Sequence, residues 1–321
     1  MNAVLRWKWP LLAALLVLLP HLLQGEYPRH LMILAMVFVM LAQGLNLTMG
    51  YVGYLPFGYL IFFAMGAYAS ALLSVNWGQS FWVGLAGAIG LTGVLAFFIG
   101  IPSLRLRGPY FAIVTLAFAE IGGLVLNNWV ELTRGPMGIP GIPSPTIALP
   151  GMTPYRINGS VSWYYLMLVL AVLVTLVCQR LVQSRTGDAF LAIRENEDLA
   201  ESVGVPTYRY KLLAFVVSAM IAGVAGSAYA HYVTIVSPDL ESFYFVITTF
   251  TMVIIGGQGT LSGPIVGAVV FTILPELLRA AQLWRLVIFG VLMVAGIVFM
   301  PRGIVGWAEE QWQRLRREGR P

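Results

Sequence analysis

Residues able to carry chemistry are sparse in this chain, and the familiar catalytic constellations are missing. The three histidines, His21, His30 and His231, are far apart and lack metal-ligand spacing, and there is neither an H-E-x-x-H nor a G-x-S-x-G segment. The single cysteine, Cys178, lies in an apolar run, so an intramolecular disulfide and a cysteine-based metal cluster are both excluded. Neither of the two lysines, Lys8 and Lys211, follows a glycine, and no G-x-x-x-x-G-K-[ST] segment exists. The chain therefore cannot cradle a nucleotide in the P-loop manner, and any ATP dependence must come from a partner. Neither an enzyme nor a metal protein is expected.

What remains is charge and glycine in unusual places. Glu120, in YFAIVTLAFAEIGG, sits about ten residues into an apolar block. A charge at that depth costs about 3 kcal/mol or more unless it is paired or wet, so it either lines a hydrated pathway or joins two helices as a hydrogen-bonded carboxyl. Glu276 and Arg279, at i and i+3 in LPELLR, can pair on one helix face. Two glycine clusters, GYVGYL at 50–55 and GGQGTL at 256–261, share the pattern G-x-x-G-x-L. With Pro56 nearby, Gly53, Gly256, Gly257 and Gly259 can unwind helix ends, which membrane proteins tolerate where protein or water meets the backbone. Close helix packing is the plain alternative. Finally, SRTGDAFLAIRENEDLAESVGV at 184–205 holds five of the fourteen carboxylates of the chain.

These groups must be positioned by membrane helices. The chain is 59% apolar and 10% charged, and its apolar residues form repeated, non-alternating blocks near twenty residues long, which suits α-helical spans and not a β-barrel. An all-α polytopic bundle with about ten spans is expected, at roughly 9–24, 31–49, 57–75, 81–101, 110–128, 162–182, 212–234, 242–256, 264–280 and 285–300. With the N-terminus inside, 14 of the 19 basic residues fall on cytoplasmic segments, which supports ten spans and two cytoplasmic ends. Cleavage of the first span as a signal peptide would leave nine. The whole chain, 1–321, then reads as one membrane domain with a Pro- and Gly-rich outer loop at 129–160, an inner loop at 183–211 and a basic inner tail at 302–321. The net charge of +5 is explained by this topology, with no nucleic acid partner.

The inner loop reads as two short capped helices. Thr186 is expected to cap the first, with Asp188 in its first turn, and Asn196 the second, which stops at Gly204 ahead of Pro206. Phe190, Ile193, Ala200 and Val203 fall near helical spacing as an apolar face, while Arg194, Glu195, Glu197, Asp198 and Glu201 stay polar. The segment is net acidic, so a protein partner suits it better than acidic lipid headgroups.

SRTGDAFLAIRENEDLAESVGVPTYRYKLLAFVVSAMIAGVAGSAYA resembles the LivM-type membrane subunit of branched-chain amino-acid ABC importers. LRLRGPYFAIVTLAFAEI at 104–121, the Ser-Pro pair at 237–238, MVIIGGQGTLSGPIVGA at 252–268 and PRGIVG at 301–306 carry the same resemblance, from about residue 40 onward. It implies a permease of the B12-importer-like (type II) architecture in a bacterial inner membrane. Its partners would be a second permease subunit, two cytoplasmic ATPases that bind ATP and Mg, and a periplasmic solute-binding protein. Gly187, Ile193, Arg194, Glu195, Glu197, Ala200 and Gly204 would then belong to the loop that docks on an ATPase. Gly53, Pro56, Tyr59, Glu120, Gly256, Gly257 and Gly259 would lie along the translocation pathway, and Arg134, Pro238 and Asp239 would face the binding protein. The sequence departs from the family pattern at Pro56 to Tyr59, where S-L-G-H is usual, at Thr133 to Gly138, where T-G-G-x-D-G is usual, and at Asp188, where arginine is usual. These departures leave the cargo open between hydrophobic amino acids, urea, short amides and aromatic acids. A stand-alone transporter using Glu120 as an ion site is the rival reading.

Overall fold

The structure is a computed structural model that describes residues 16–22, 25–106, 108–147 and 155–277, with 290, 291, 294, 303–307 and 311. Residues 16–22 are helical. Beyond them the helices are α1 (Glu26–Asn46), α2 (Tyr59–Val75), α3 (Phe81–Ser103), α4 (Pro109–Asn128), the four-residue α5 (Val130–Thr133), α6 (Ser160–Val182), α7 (Arg185–Glu195), α8 (Glu197–Ser202), α9 (Thr207–Val233), α10 (Phe243–Gly257) and α11 (Ser262–Leu277). Among the described residues, six helical stretches are long and apolar enough to cross a membrane, and α2 and α11 are shorter apolar helices. Together they cover eight of the ten expected spans. The other two, at 9–24 and 285–300, lie largely outside the described residues, as do Arg279 and most of the 302–321 tail.

The long helix α9 is the axis of the bundle and packs against α1, α2 and α3. It can do so because its sequence is stippled with small residues: Ala214, Ala219, Ala222, Ala225 and Ala228 are fully buried. A Cβ at Gly66 would lie 2.5 Å from Gly223 Cα, and one at Gly226 would lie 2.1 Å from the Phe63 carbonyl, so α2 and α9 touch backbone to backbone. Larger side chains, Phe215, Phe111 and Tyr164, fill the space where the helices diverge. The helices α6 and α11 flank α1, and α10 pairs with α11.

The connecting segments gather at two ends. At one end the 129–160 segment folds into short pieces: α5, a single 3-10 turn at Gly135–Met137, and strands β1 (Ile139–Pro140), β2 (Thr146–Ile147) and β3 (Tyr155–Arg156). Strand β4 (Ile235–Val236), which follows α9, pairs antiparallel with β1, Ile139 opposite Val236. The β2–β3 pair is also antiparallel. His231, buried at the end of α9, ties this layer down: its Nδ1 donates to the Pro143 carbonyl at 2.7 Å, and its Nε2 meets the Ser70 hydroxyl at 2.9 Å. A carbonyl can only accept, so Nδ1 carries the proton and Nε2 accepts from Ser70. At the other end lie the irregular stretch after α1, the α3–α4 turn, the α7–α8 pair and the α10–α11 turn.

A candidate coupling and pathway site

The α7–α8 pair is held by the caps expected of its sequence, with one shift. The Ser184 hydroxyl, not Thr186, caps α7, accepting from Thr186 N at 3.2 Å, because the chain leaves α6 at Gln183 and is already extended at Ser184. Asn196 caps α8 as expected, its Oδ1 accepting from Leu199 N at 3.0 Å. Gly187 lets α7 turn directly off α6, since a Cβ there would lie 1.8 Å from the Val182 carbonyl. Gly204 ends the pair in the left-handed region, with φ of 89°.

Phe190, Ile193 and Ala200 form the buried face. Val203 does not join them: α8 ends at Ser202, Val203 leaves helical geometry, and its side chain is 73% exposed. With Leu191 and Leu199, also exposed, it makes an outward apolar trio among the exposed Glu195, Asp198 and Glu201.

Two polar residues of the pair send their charged groups toward the bundle, Glu197 half-buried and Arg194 still exposed along the rest of its side chain. Arg194 Nη1 donates to the Gly50 carbonyl at 2.6 Å, while its stem crosses Gly53, where a Cβ would lie 3.2 Å from Arg194 Cγ. Glu197 forms an ion pair with Lys211 of α9, Nζ to Oε1 2.5 Å, and also accepts from the Tyr54 hydroxyl. Lys211 is almost wholly buried, at 4% exposure, and reaches Tyr54 Oη at 3.1 Å and the Leu104 carbonyl at 3.4 Å.

These contacts meet irregular backbone at both glycine clusters. α1 widens into a π-helical turn over Leu47–Val52 and ends at Gly53, with φ of 87°. After α10, Gly257 and Gly259 have φ of 128° and 75°. A Cβ at Gly256 would lie 2.1 Å from the Gly263 carbonyl, so this glycine admits the start of α11. The two clusters touch: a Cβ at Gly50 would lie 2.5 Å from Gly259 N. Two α1 amides join them. Asn46 Oδ1 accepts from Gly259 N at 2.9 Å, its Nδ2 donates to the Thr260 carbonyl at 2.8 Å, and Gln43 Nε2 donates to the Leu261 carbonyl at 2.8 Å. Sequence reasoning passed over Gln43, Asn46, Tyr54 and the pairing of Lys211. The signal available was two amides at i and i+3 in an otherwise apolar helix end, a polar pair with no solvent to meet.

Beside this junction is an open cleft of about 490 Å³, lined by Gly53, Tyr54, Leu55, Phe57, Pro109, Ala112, Ile193 and Arg194 among others. Phe57 separates it from a smaller hollow lined by Leu60, Ile61, Leu116, Ala119, Glu120 and Val246. Ala112, Leu116 and Ala119 or Glu120 recur at helical spacing, so both hollows lie along one face of α4. Glu120 is exposed and makes no hydrogen bond or ion pair among the described residues.

Three of the side chains expected along the pathway or at the binding-protein face, those of Pro56, Tyr59 and Pro238, are buried within the chain. Tyr59 is 1% exposed, and its hydroxyl donates toward the Leu41 and Ser218 carbonyls at 3.1 and 3.4 Å, tying α2 to α1 and α9. Pro56 is likewise buried. At the opposite end Pro238 is buried, whereas Arg134, in the left-handed region at φ of 61°, and Asp239 are exposed. No group of three or more metal-ligating side chains occurs among the described residues.

Comparison with known proteins gives this arrangement a context. Residues 27–297 match the family model of the branched-chain amino acid transport system permease component. The high-affinity branched-chain amino acid transport system permease protein LivM of Escherichia coli K12 is 36% identical over 300 residues, covering 87% of this chain and 70% of that protein. The LivH permease protein of the same organism is 26% identical over 297 residues, covering 86% and 93%. A probable LivM of Methanocaldococcus jannaschii is 27% identical over 239 residues, covering 68% and 67%. This chain belongs to the permease family of branched-chain amino acid transport systems.

Proposed function

We propose that this chain is the LivM-like half of a paired membrane permease in an ATP-driven importer of branched-chain amino acids. The observation that carries the reading is the two-faced α7–α8 pair. Its outer face offers Leu191, Leu199 and Val203 amid carboxylates, and its inner face is bonded to the broken end of α1 and to Lys211 of α9. An apolar patch inside an acidic rim suits a protein partner, here an ATPase subunit carrying the ATP and Mg that this chain has no motif to hold. A stand-alone transporter has no use for such a surface.

The face of α4 that carries Glu120 supports the second permease subunit. A carboxylate halfway along a membrane helix and exposed on its own chain is too costly to leave against lipid, so a partner and a wet pathway would cover it. The higher identity to LivM than to LivH makes a LivH-like chain the expected companion. In a bacterial inner membrane the α7–α8 end would face the cytoplasm and the β1–β4 layer the periplasm, offering Arg134 and Asp239 to a solute-binding protein. The ten-span, type II arrangement belongs to this same reading.

Reconstitution of this chain with a LivH-like chain, two ATPases and the binding protein in proteoliposomes tests it. Leucine uptake is expected to require both ATP and the binding protein. Uptake that persists without ATP refutes the importer and favours an ion-coupled transporter.

A further inference from the structure

From the geometry at Arg194 we infer that this residue is a positioning residue inside the permease and not an ATPase contact: it clasps both glycine elbows to α7, so that α7 and the pathway ends of α1 and α10 move as one body. The inference rests on the importer reading above and specifies how force would cross the chain.

Four observations converge on it. The guanidinium donates to the Gly50 carbonyl at 2.6 Å, on the π-helical turn that ends α1. The same Nη1 stands 2.5 Å from where a Cβ of Gly259 would be, so the guanidinium lies against the second elbow. The Arg194 stem lies along Gly53, at the mouth of the cleft. Asn46 and Gln43 hold 259–261 to α1, so one arginine reaches two elbows that are already joined to each other.

The consequence is mechanical. The backbone at both elbows departs from regular helix, with positive φ at Gly53, Gly257 and Gly259, and such positions absorb hinge motion at low cost. A hinge that flexes freely cannot transmit a push. Arg194 bridges it, and displacement of α7 would carry Gly50 and Gly259 along. The neighbouring pair of Glu197 and Lys211 secures the same segment to α9, and the outward apolar trio with its carboxylate rim faces the ATPase.

The test uses the complete complex in proteoliposomes and reads three quantities: ATPase subunits retained, ATP hydrolysis rate, and leucine imported per ATP hydrolysed. Arg194→Ala is expected to keep the ATPase subunits and to hydrolyse ATP within about two-fold of the parent, while import per ATP falls by about ten-fold or more, the shift typical for loss of one hydrogen bond to a charged group. Arg194→Met keeps the stem across Gly53 and removes only the donors, and should show the same drop; it decides the matter if the alanine variant is not recovered from membranes. Arg194→Lys should restore coupling in part. Loss of ATPase subunits from the Arg194 variants, or an unchanged import per ATP, overturns the inference. Failure of the importer reading itself would appear differently, as ATP-independent uptake by the parent.

Discussion

The ion pair between Glu197 and Lys211 allows the inner face of the coupling segment to be tested quantitatively. The ammonium of Lys211 is 4% exposed and lies 2.5 Å from Glu197 Oε1, with Tyr54 bonded to both partners. Two unit charges at that separation attract by roughly 7 kcal/mol at an effective dielectric near 20. Desolvation offsets most of this, so the pair adds little relative to a well-packed apolar substitute. Removing one partner is another matter, because Glu197→Leu strands a buried ammonium and should cost about 3–5 kcal/mol. Lys211→Met should cost less, since Glu197 is 17% exposed and can be hydrated. The double variant should be close to the milder single one, giving a coupling energy of about 3 kcal/mol. Unfolding free energies from detergent titration of the purified permease pair would measure the cycle. Additivity within about 0.5 kcal/mol would refute the claim that Lys211 depends on Glu197.

Other residues make separate predictions. Asn46→Leu breaks two bonds to the 259–260 backbone at a position 1% exposed, and should cost about 2–4 kcal/mol of stability in the same titration, with faster proteolysis of the α10–α11 turn as its local sign. Leu199→Asp with Val203→Asp should abolish co-purification of the ATPase subunits and leave the melting temperature of the permease within a few degrees, because both side chains are exposed. A cysteine at Glu120 should cross-link to the second permease subunit; the native Cys178 is buried and contributes no background. Labelling of that cysteine by a lipid-soluble reagent in the intact complex would place Glu120 against lipid and remove it from the pathway.

The helices were legible in the sequence because burial in a bilayer demands long apolar blocks, and a block of that length is a strong signal even in one sequence. Asn196 was legible as a cap for the same local reason: a cap depends on residues within one turn. Thr186 failed where two capping residues, Ser184 and Thr186, share that turn, and the choice was made by where α6 ends. Val203 failed because helical spacing was extended one residue past the last helical one. Tyr59 and Pro238 are buried for a tertiary reason. Each adjoins a segment with the look of a pathway or a docking loop, yet its direction is set by α1 and α9 in one case and by the turn after β4 in the other, and local pattern does not encode either. The shared G-x-x-G-x-L pattern marks two strips of backbone that lie against each other.

The division of labour within residues 184–205 follows from the cost of charge near a membrane. Two of the seven residues expected in the docking loop, Arg194 and Glu197, also bond internally, to Gly50 and to Lys211. Those bonds join the segment to the end of α1 and to α9, in addition to the packing of Phe190 and Ile193. Directional bonds to backbone and to a buried ammonium fix a rotation as well as a position. A lever that must tilt helices needs that rotational grip. The bundle-facing side of α7 and α8 therefore joins apolar packing by Phe190, Ile193 and Ala200 to two directional polar contacts, while Leu191, Leu199 and Val203 stand outward among carboxylates.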